Sequence, residues 1–301
     1  MPFLGLNYSD RKTCVTTYIL LTVIGDIDVP NCRSRTHMKA ILLAGGLGTR
    51  GKPYTDYFPK AMIPIEGRPI IDYIIRYLTI FSHISDIIIV CEFDRLGKQI
   101  INYFEGKESI LGKSISFIED KKCGTGGALL EVEKRVKQDK YFMVWFADNL
   151  VALNVDDMVK QYCATNNKIK SKVTGIIAVR KEKAVETGRI LPVYDIDSQL
   201  PCDIRPVKSF IEKGILELEL PEATGIYLFT NKIFDHLHRR PKQVSRSVNL
   251  SSDIFTQIPK SGDLLFSYLI NKNLEWIDIE SLSHLERNRE TVMKVLRQMG
   301  F

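Results

Sequence analysis

The chain lacks an apolar run long enough to cross a bilayer. Its early candidate, Thr17–Ile24 (TYILLTVI), is far short of the roughly 20 residues a transmembrane helix needs. Arg11 and Lys12 precede that run as they would in a secretory signal, but Gly25-Asp26-Ile27-Asp28-Val29-Pro30 follows instead of a small-x-small cleavage site. Cys-x-x-Cys pairs are also missing. The six cysteines, at positions 14, 32, 91, 123, 163 and 202, form no cluster with histidine at zinc spacing. Cys91 closes a strand-like run and Cys163 falls in a helix-like one, so reduced structural thiols in a cytoplasmic protein are expected. There is no internal repeat, no low-complexity segment and no linker rich in proline, glycine or serine. Stacking aromatics interleaved with basic residues and basic amphipathic helices are absent as well, so nucleic acid and membrane are not expected partners.

What remains is an ordinary globular composition over 301 residues, 45% apolar and 26% charged, enough for one large α/β domain or two small ones. The net charge of +6 suits an anionic substrate, and its lysines and arginines are spread along the chain instead of gathered in one tract.

From Lys39 onward, short apolar runs alternate with helical periods. Lys39–Ala44 (KAILLA), Asp86–Cys91, Ser114–Ile118 and Tyr141–Phe146 (YFMVWF) read as strands, the first, second and last of them buried. Ile70–Ile80, Leu96–Phe104, Gly127–Val136 and Val155–Tyr162 read as helices, with Asp72 and Arg76 opposite the apolar face of the first. Strands are then expected at Val173–Val179, Arg189–Tyr194, Val207–Ile211 and Ala223–Phe229, and a helical tail at Leu282–Gln298. This alternation predicts an α/β fold: a Rossmann-like, mainly parallel mixed sheet with helices on both faces. Met38 stands just ahead of the first strand. Residues 1–37 are therefore expected to be an N-terminal extension, not native or without fixed structure, and 38–301 a single domain.

The stretch Leu43–Lys60, LAGGLGTRGKPYTDYFPK, carries the most chemistry. Glycines directly after a buried strand let backbone N–H groups approach phosphate without a Cβ in the way. Three phosphate-binding patterns compete for it. Gly46 to Gly51 fits G-x-G-x-x-G, but Pro53 and Pro59 follow, and no helical period opens before Ile70 to direct a dipole at a pyrophosphate. Gly46 to Lys52 fits G-x-x-x-x-G-K, but Pro53 stands where a Mg²⁺-binding hydroxyl belongs.

The third pattern takes the stretch whole. Gly45-Gly46-x-Gly48-Thr49-Arg50, Pro53-x-Thr55 and Pro59-Lys60 closely resemble the signature of the sugar-1-phosphate nucleotidyltransferases, with Gly51 where that family commonly has Leu or Met. The resemblance extends from about Met38 to Asn288. It implies the nucleotide-diphospho-sugar transferase fold and an enzyme that joins a nucleoside triphosphate to a sugar 1-phosphate. Leu43, Ala44, Gly45, Gly46, Gly48 and Thr49 would bind the nucleotide, with Arg50 and Lys60 as catalytic cations. Gly124-Thr125-Gly126-Gly127-Ala128-Leu129 looks like the family's second nucleotide-contacting loop, in a form more similar to mannose-1-phosphate guanylyltransferases than to thymidylyltransferases.

Asp148, at the end of an apolar strand, reads either as a cleft carboxylate for Mg²⁺ and nucleotide or as a helix N-cap. Similarity to the family favours the former and adds Asp278, in Trp276-Ile277-Asp278-Ile279, as the second Mg²⁺ ligand. It also implies that Glu212 and Lys213, with Thr224 and Gly225, bind the sugar phosphate. Gly214 and Glu280-Ser281-Leu282 depart from the family pattern. The expected product is GDP-mannose from GTP and mannose 1-phosphate. UTP-, dTTP- or CTP-dependent transfer to another sugar 1-phosphate, and a non-catalytic regulatory homologue, are the alternatives. A homo-oligomer is common among similar enzymes.

Overall fold

The computed structural model describes residues 37–46, 48–107, 111–169, 172–181, 189–193, 204–211, 220–239 and 247–301. Thr17–Ile24, Leu47, Tyr194 and the Glu212-Lys213 pair lie outside them.

Strand β1 (Met38–Leu43) is the hub of the sheet. Its apolar side chains are buried on both faces, which suits a central parallel strand. It pairs in parallel with β4 (Ile84–Cys91) on one side and β6 (Phe142–Phe146) on the other. Two short strands, β2 (Pro64–Ile65) and β3 (Arg68–Pro69), form a separate hairpin, and β5 (Ser114–Glu119) lies beyond β4. The rest of the chain contributes β7 (Asn149–Val151), β8 (Val173–Arg180), β9 (Arg189–Pro192), β10 (Ile204–Ile211), β11 (Glu222–Phe229), β12 (Leu264–Leu269) and β13 (Trp276–Asp278). Among the described residues the main sheet has nine strands in the order β5-β4-β1-β6-β11-β8-β12-β10-β9. Strand β11 runs antiparallel to both its neighbours, β6 and β8, so the sheet is mixed as expected.

The helices are α1 (Ile70–Thr79), α2 (Gly97–Phe104), α3 (Gly124–Val136), α4 (Val155–Ile169), α5 (Lys232–Arg239), α6 (Leu282–Arg287) and α7 (Arg289–Met299). No helix among the described residues is long and apolar enough to cross a membrane. The first α-helix after β1 is α1, so none opens at the glycine loop; three single-turn 3₁₀ segments take its place.

Three expectations need correction. The C-terminal helix is two helices: Ser281 caps α6 by accepting from the His284 N–H, and the chain then breaks at Asn288 before α7. Helix α3 begins at Gly124, three residues before its apolar period becomes visible. Asp72 is fully buried instead of lying on a solvent face. Its carboxylate receives Arg76 at 2.8 Å and Arg68 at 3.2 Å, each one helical turn away. A buried carboxylate that loses its charge leaves two guanidinium groups without an anion. Asp72→Asn is expected to cost about 1–3 kcal/mol, read as a lower denaturation midpoint at unchanged slope.

Cys91 and Cys163 are buried, and burial pushes the Cys91 thiol up to about 12.

Candidate active site

Chain order places β4 and β5 on one side of β1, and the next strand, β6, on the other. Between β1 and β6 the direction of winding reverses, which opens a crevice beyond their carboxyl ends. Leu43-Ala44-Gly45-Gly46 leaves β1 at that point, and Ala147-Asp148 leaves β6 beside it, held by the bond from Ala147 N–H to the Leu43 carbonyl at 3.0 Å. A cleft of about 290 Å³ begins there. Ala44, Gly45, Gly46, Gly48, Thr49 and Lys60, all proposed from sequence, line one wall together with Lys52 and Thr55.

The reach from Asp148 to Asp278 across the sequence is closed by strand pairing. Asp148 directly precedes β7, and β7 pairs antiparallel with β13 so that Asn149 faces Asp278. The Ile279 N–H also donates to the Asp148 carbonyl at 2.9 Å. Both carboxylates then meet the Lys60 ammonium, Asp148 Oδ2 at 2.6 Å and Asp278 Oδ1 at 3.3 Å. Asn149 Nδ2 donates to the other Asp148 oxygen at 2.7 Å and holds its orientation. Asp148 therefore leads into a strand, and its carboxylate is turned to the cleft cation instead of capping a helix.

Burial disfavours the Lys60 ammonium, but the two carboxylates outweigh it, and its pKa stands above the ordinary lysine value. Burial, and then the Asp148 charge, push the Asp278 carboxyl up to about 7, against the pull of Lys60. Two carboxylates that share one cation and crowd each other form a site that favours more positive charge. Among the described residues no group of three or more histidine, cysteine or carboxylate ligands gathers. Mg²⁺ typically takes only one or two protein carboxylates and keeps water and phosphate oxygens for the rest, so Asp148 and Asp278 fit it.

Arg50 follows the glycines on a 3₁₀ turn, and its guanidinium bonds the Glu280 carboxylate two residues beyond Asp278. Arg50 and Lys60 thus both reach the same segment. Gly51 is explained by its neighbour: a Cβ there would lie 2.6 Å from Thr55 Cγ2, while the Thr55 hydroxyl donates to the Gly48 carbonyl at 2.7 Å. Gly51→Ala is therefore expected to destabilise by about 1–3 kcal/mol, with a smaller penalty in a Thr55→Ala background. Equal penalties in thermal melts of the two backgrounds would contradict this packing.

Other proposed residues lie elsewhere. Gly124 and Thr125 open α3 but do not line this cleft. Both face the chain around Val248: a Cβ on Gly124 would lie 2.4 Å from the Val248 carbonyl, and the Thr125 hydroxyl accepts from Leu250 N–H at 2.9 Å. Thr224 is fully buried and donates to the Ala178 carbonyl at 2.9 Å. Gly225 lies against Asn149 and the Phe146 ring, next to Asp148.

The opposite wall was not expected. It includes Glu92, Asp94 and Lys122, with Lys122 bonded to Glu92 at 2.9 Å. Asp120 fills the space a Cβ would need at Gly45, 1.8 Å from that position. Glu92 directly follows β4 and Asp120 directly follows β5, so the strand-end rule that singles out Asp148 applies to them equally.

The UTP–glucose-1-phosphate uridylyltransferase of Synechocystis sp. is 28% identical over 254 residues, covering 80% of this chain and 60% of that protein. The mannose-1-phosphate guanyltransferase beta-A of Xenopus laevis is 26% identical, covering 80% of this chain and 61% of that protein. The chain thus spans about three fifths of these relatives' length. A putative glucose-1-phosphate thymidylyltransferase from Bacillus anthracis superposes with a TM-score of 0.68 at 22% identity over 84% of this chain and 94% of that one, a likeness of fold. A model of the family described as nucleotidyl transferase matches residues 39–294, and the chain belongs to that family.

Proposed function

We propose that the chain transfers a nucleotidyl group from a nucleoside triphosphate to a sugar 1-phosphate and releases pyrophosphate. The observation that carries this reading is the cluster of Lys60, Asp148 and Asp278 beside a glycine loop at the switch point of the sheet. In such a transfer a phosphate oxygen of the sugar 1-phosphate attacks the α-phosphorus. The new P–O bond forms as the bond to the β-phosphate oxygen breaks, and pyrophosphate departs with that electron pair. The nucleophile is already an anion, so no general base is required. The barrier lies in bringing two anions together and in stabilising the leaving group.

The roles follow from position. Backbone N–H groups of Gly45, Gly46, Gly48 and Thr49 approach the phosphates, and Arg50, next along the loop, binds the triphosphate and its leaving end. Lys60, set deeper in the cleft, faces the α-phosphate or the incoming sugar phosphate. Asp148 and Asp278 would hold Mg²⁺, which when bound neutralises phosphate charge and orients the attack. Lys213, with Glu212, keeps its proposed place at the sugar phosphate on resemblance alone.

For substrates, GTP with mannose 1-phosphate is proposed on the form of Gly124–Leu129, and the guanyltransferase relative is consistent with it. The uridylyltransferase relative supports UTP with glucose 1-phosphate as the competing pair. The test is pyrophosphate release by the full chain across a grid of triphosphates and sugar phosphates with Mg²⁺. One pair should stand well above the rest; silence across the whole grid would reject catalysis.

A further inference from the structure

We propose that Glu280 is an internal competitor of the nucleotide: it occupies the Arg50 guanidinium and must be displaced before the triphosphate can bind there. The inference rests on the assignment of Arg50 to the triphosphate above. From Trp276 to Glu280 burial alternates residue by residue, with Ile277 and Ile279 packed inward. That period of two turns Asp278 and Glu280 to the same side, away from the core. The glycine loop meets this side with two cations: Lys60 takes Asp278, and Arg50 takes Glu280.

The two pairs differ in kind. Lys60 has two carboxylates and retains Asp148 if Asp278 turns to another partner. The bond between Arg50 and Glu280 is exposed on both sides, so solvent can replace it at small cost. An arginine that follows the cleft-lining Thr49, is assigned to the triphosphate and is already bound to a carboxylate must exchange one anion for another. The apparent affinity for the incoming anion falls by whatever the first contact contributes.

The test uses the full chain titrated calorimetrically with inorganic tripolyphosphate in the presence of a chelator, so that no divalent ion contributes. Four proteins are compared: wild type, Glu280→Gln, Arg50→Gln and the double variant. Glu280→Gln is expected to bind about two- to five-fold more tightly than wild type, the size of one exposed ion pair. In the Arg50→Gln background the same change should have no effect, because the competition runs through the guanidinium. Equal tightening in both backgrounds would reduce Glu280 to a general repulsive charge and overturn the proposal. So would unchanged or weaker binding by Glu280→Gln while Arg50→Gln binds less tightly than wild type. If Arg50→Gln binds as wild type does, the assignment of Arg50 to the triphosphate fails, and the competition fails with it.

Discussion

Arg50→Ala is expected to lower turnover by about 10²–10³, the usual consequence of removing one preorganised charge from a developing anion. The residue follows the cleft-lining Thr49 on a short turn, and its one described ion pair is with Glu280. Folding should be almost untouched, because both partners are exposed and such pairs contribute at most about 1 kcal/mol. A melting temperature close to wild type together with a collapsed rate is therefore the signature. The loss should appear in kcat as well as in kcat/KM, since the charge on pyrophosphate grows as it leaves. Near-normal turnover by this variant would remove the central role given to Arg50.

Asp148→Asn should lose as much activity, about 10²–10³ in turnover, for a different reason. The substitution keeps the shape of the side chain and leaves one oxygen to accept from Asn149 Nδ2, but removes the charge that Lys60 meets at 2.6 Å. A single carboxylate of the proposed pair, Asp278, would then be left for Mg²⁺. The Mg²⁺ concentration for half-maximal rate is expected to rise, and the residual rate at saturating metal should stay low. Arg50→Ala should leave that concentration near its wild-type value, so metal titrations of the two variants separate the two roles. An Asp148→Asn protein with wild-type metal dependence would show that the carboxylate does not hold the ion.

The parts of this protein that are readable without coordinates are those in which neighbours in sequence are neighbours in function. The glycine loop is continuous from Leu43 to Lys60, so its order of glycine, arginine, proline and lysine carries its own meaning. The runs Ala40–Leu43 of β1, Ile87–Cys91 of β4 and Phe142–Phe146 of β6 are apolar without interruption because both sheet faces are covered. Strands β7 and β13 are different. Each has three residues, too few for an alternating pattern, and each exists because the other lies beside it. Their pairing is what brings Asp148 to Asp278, and no local propensity encodes it.

Charge placement divides in the same way. The helical period over Ile70–Thr79 identifies a helix, but it assigns Asp72 to the wrong environment. The residue is buried while Arg68 and Arg76, both partly exposed, supply the opposite charge, a cost that only the folded surroundings offset. By itself the sequence determined the α/β class, the glycine loop proposed to meet phosphate and the residue types for a charge-driven transfer, since each rests on a contiguous pattern. Tertiary structure alone decided which carboxylates share Lys60, that Glu280 answers Arg50 and that Glu92, Asp94 and Lys122 face the loop across the cleft. Those relations join strand ends far apart in the chain, and only the order and register of the strands bring such ends together.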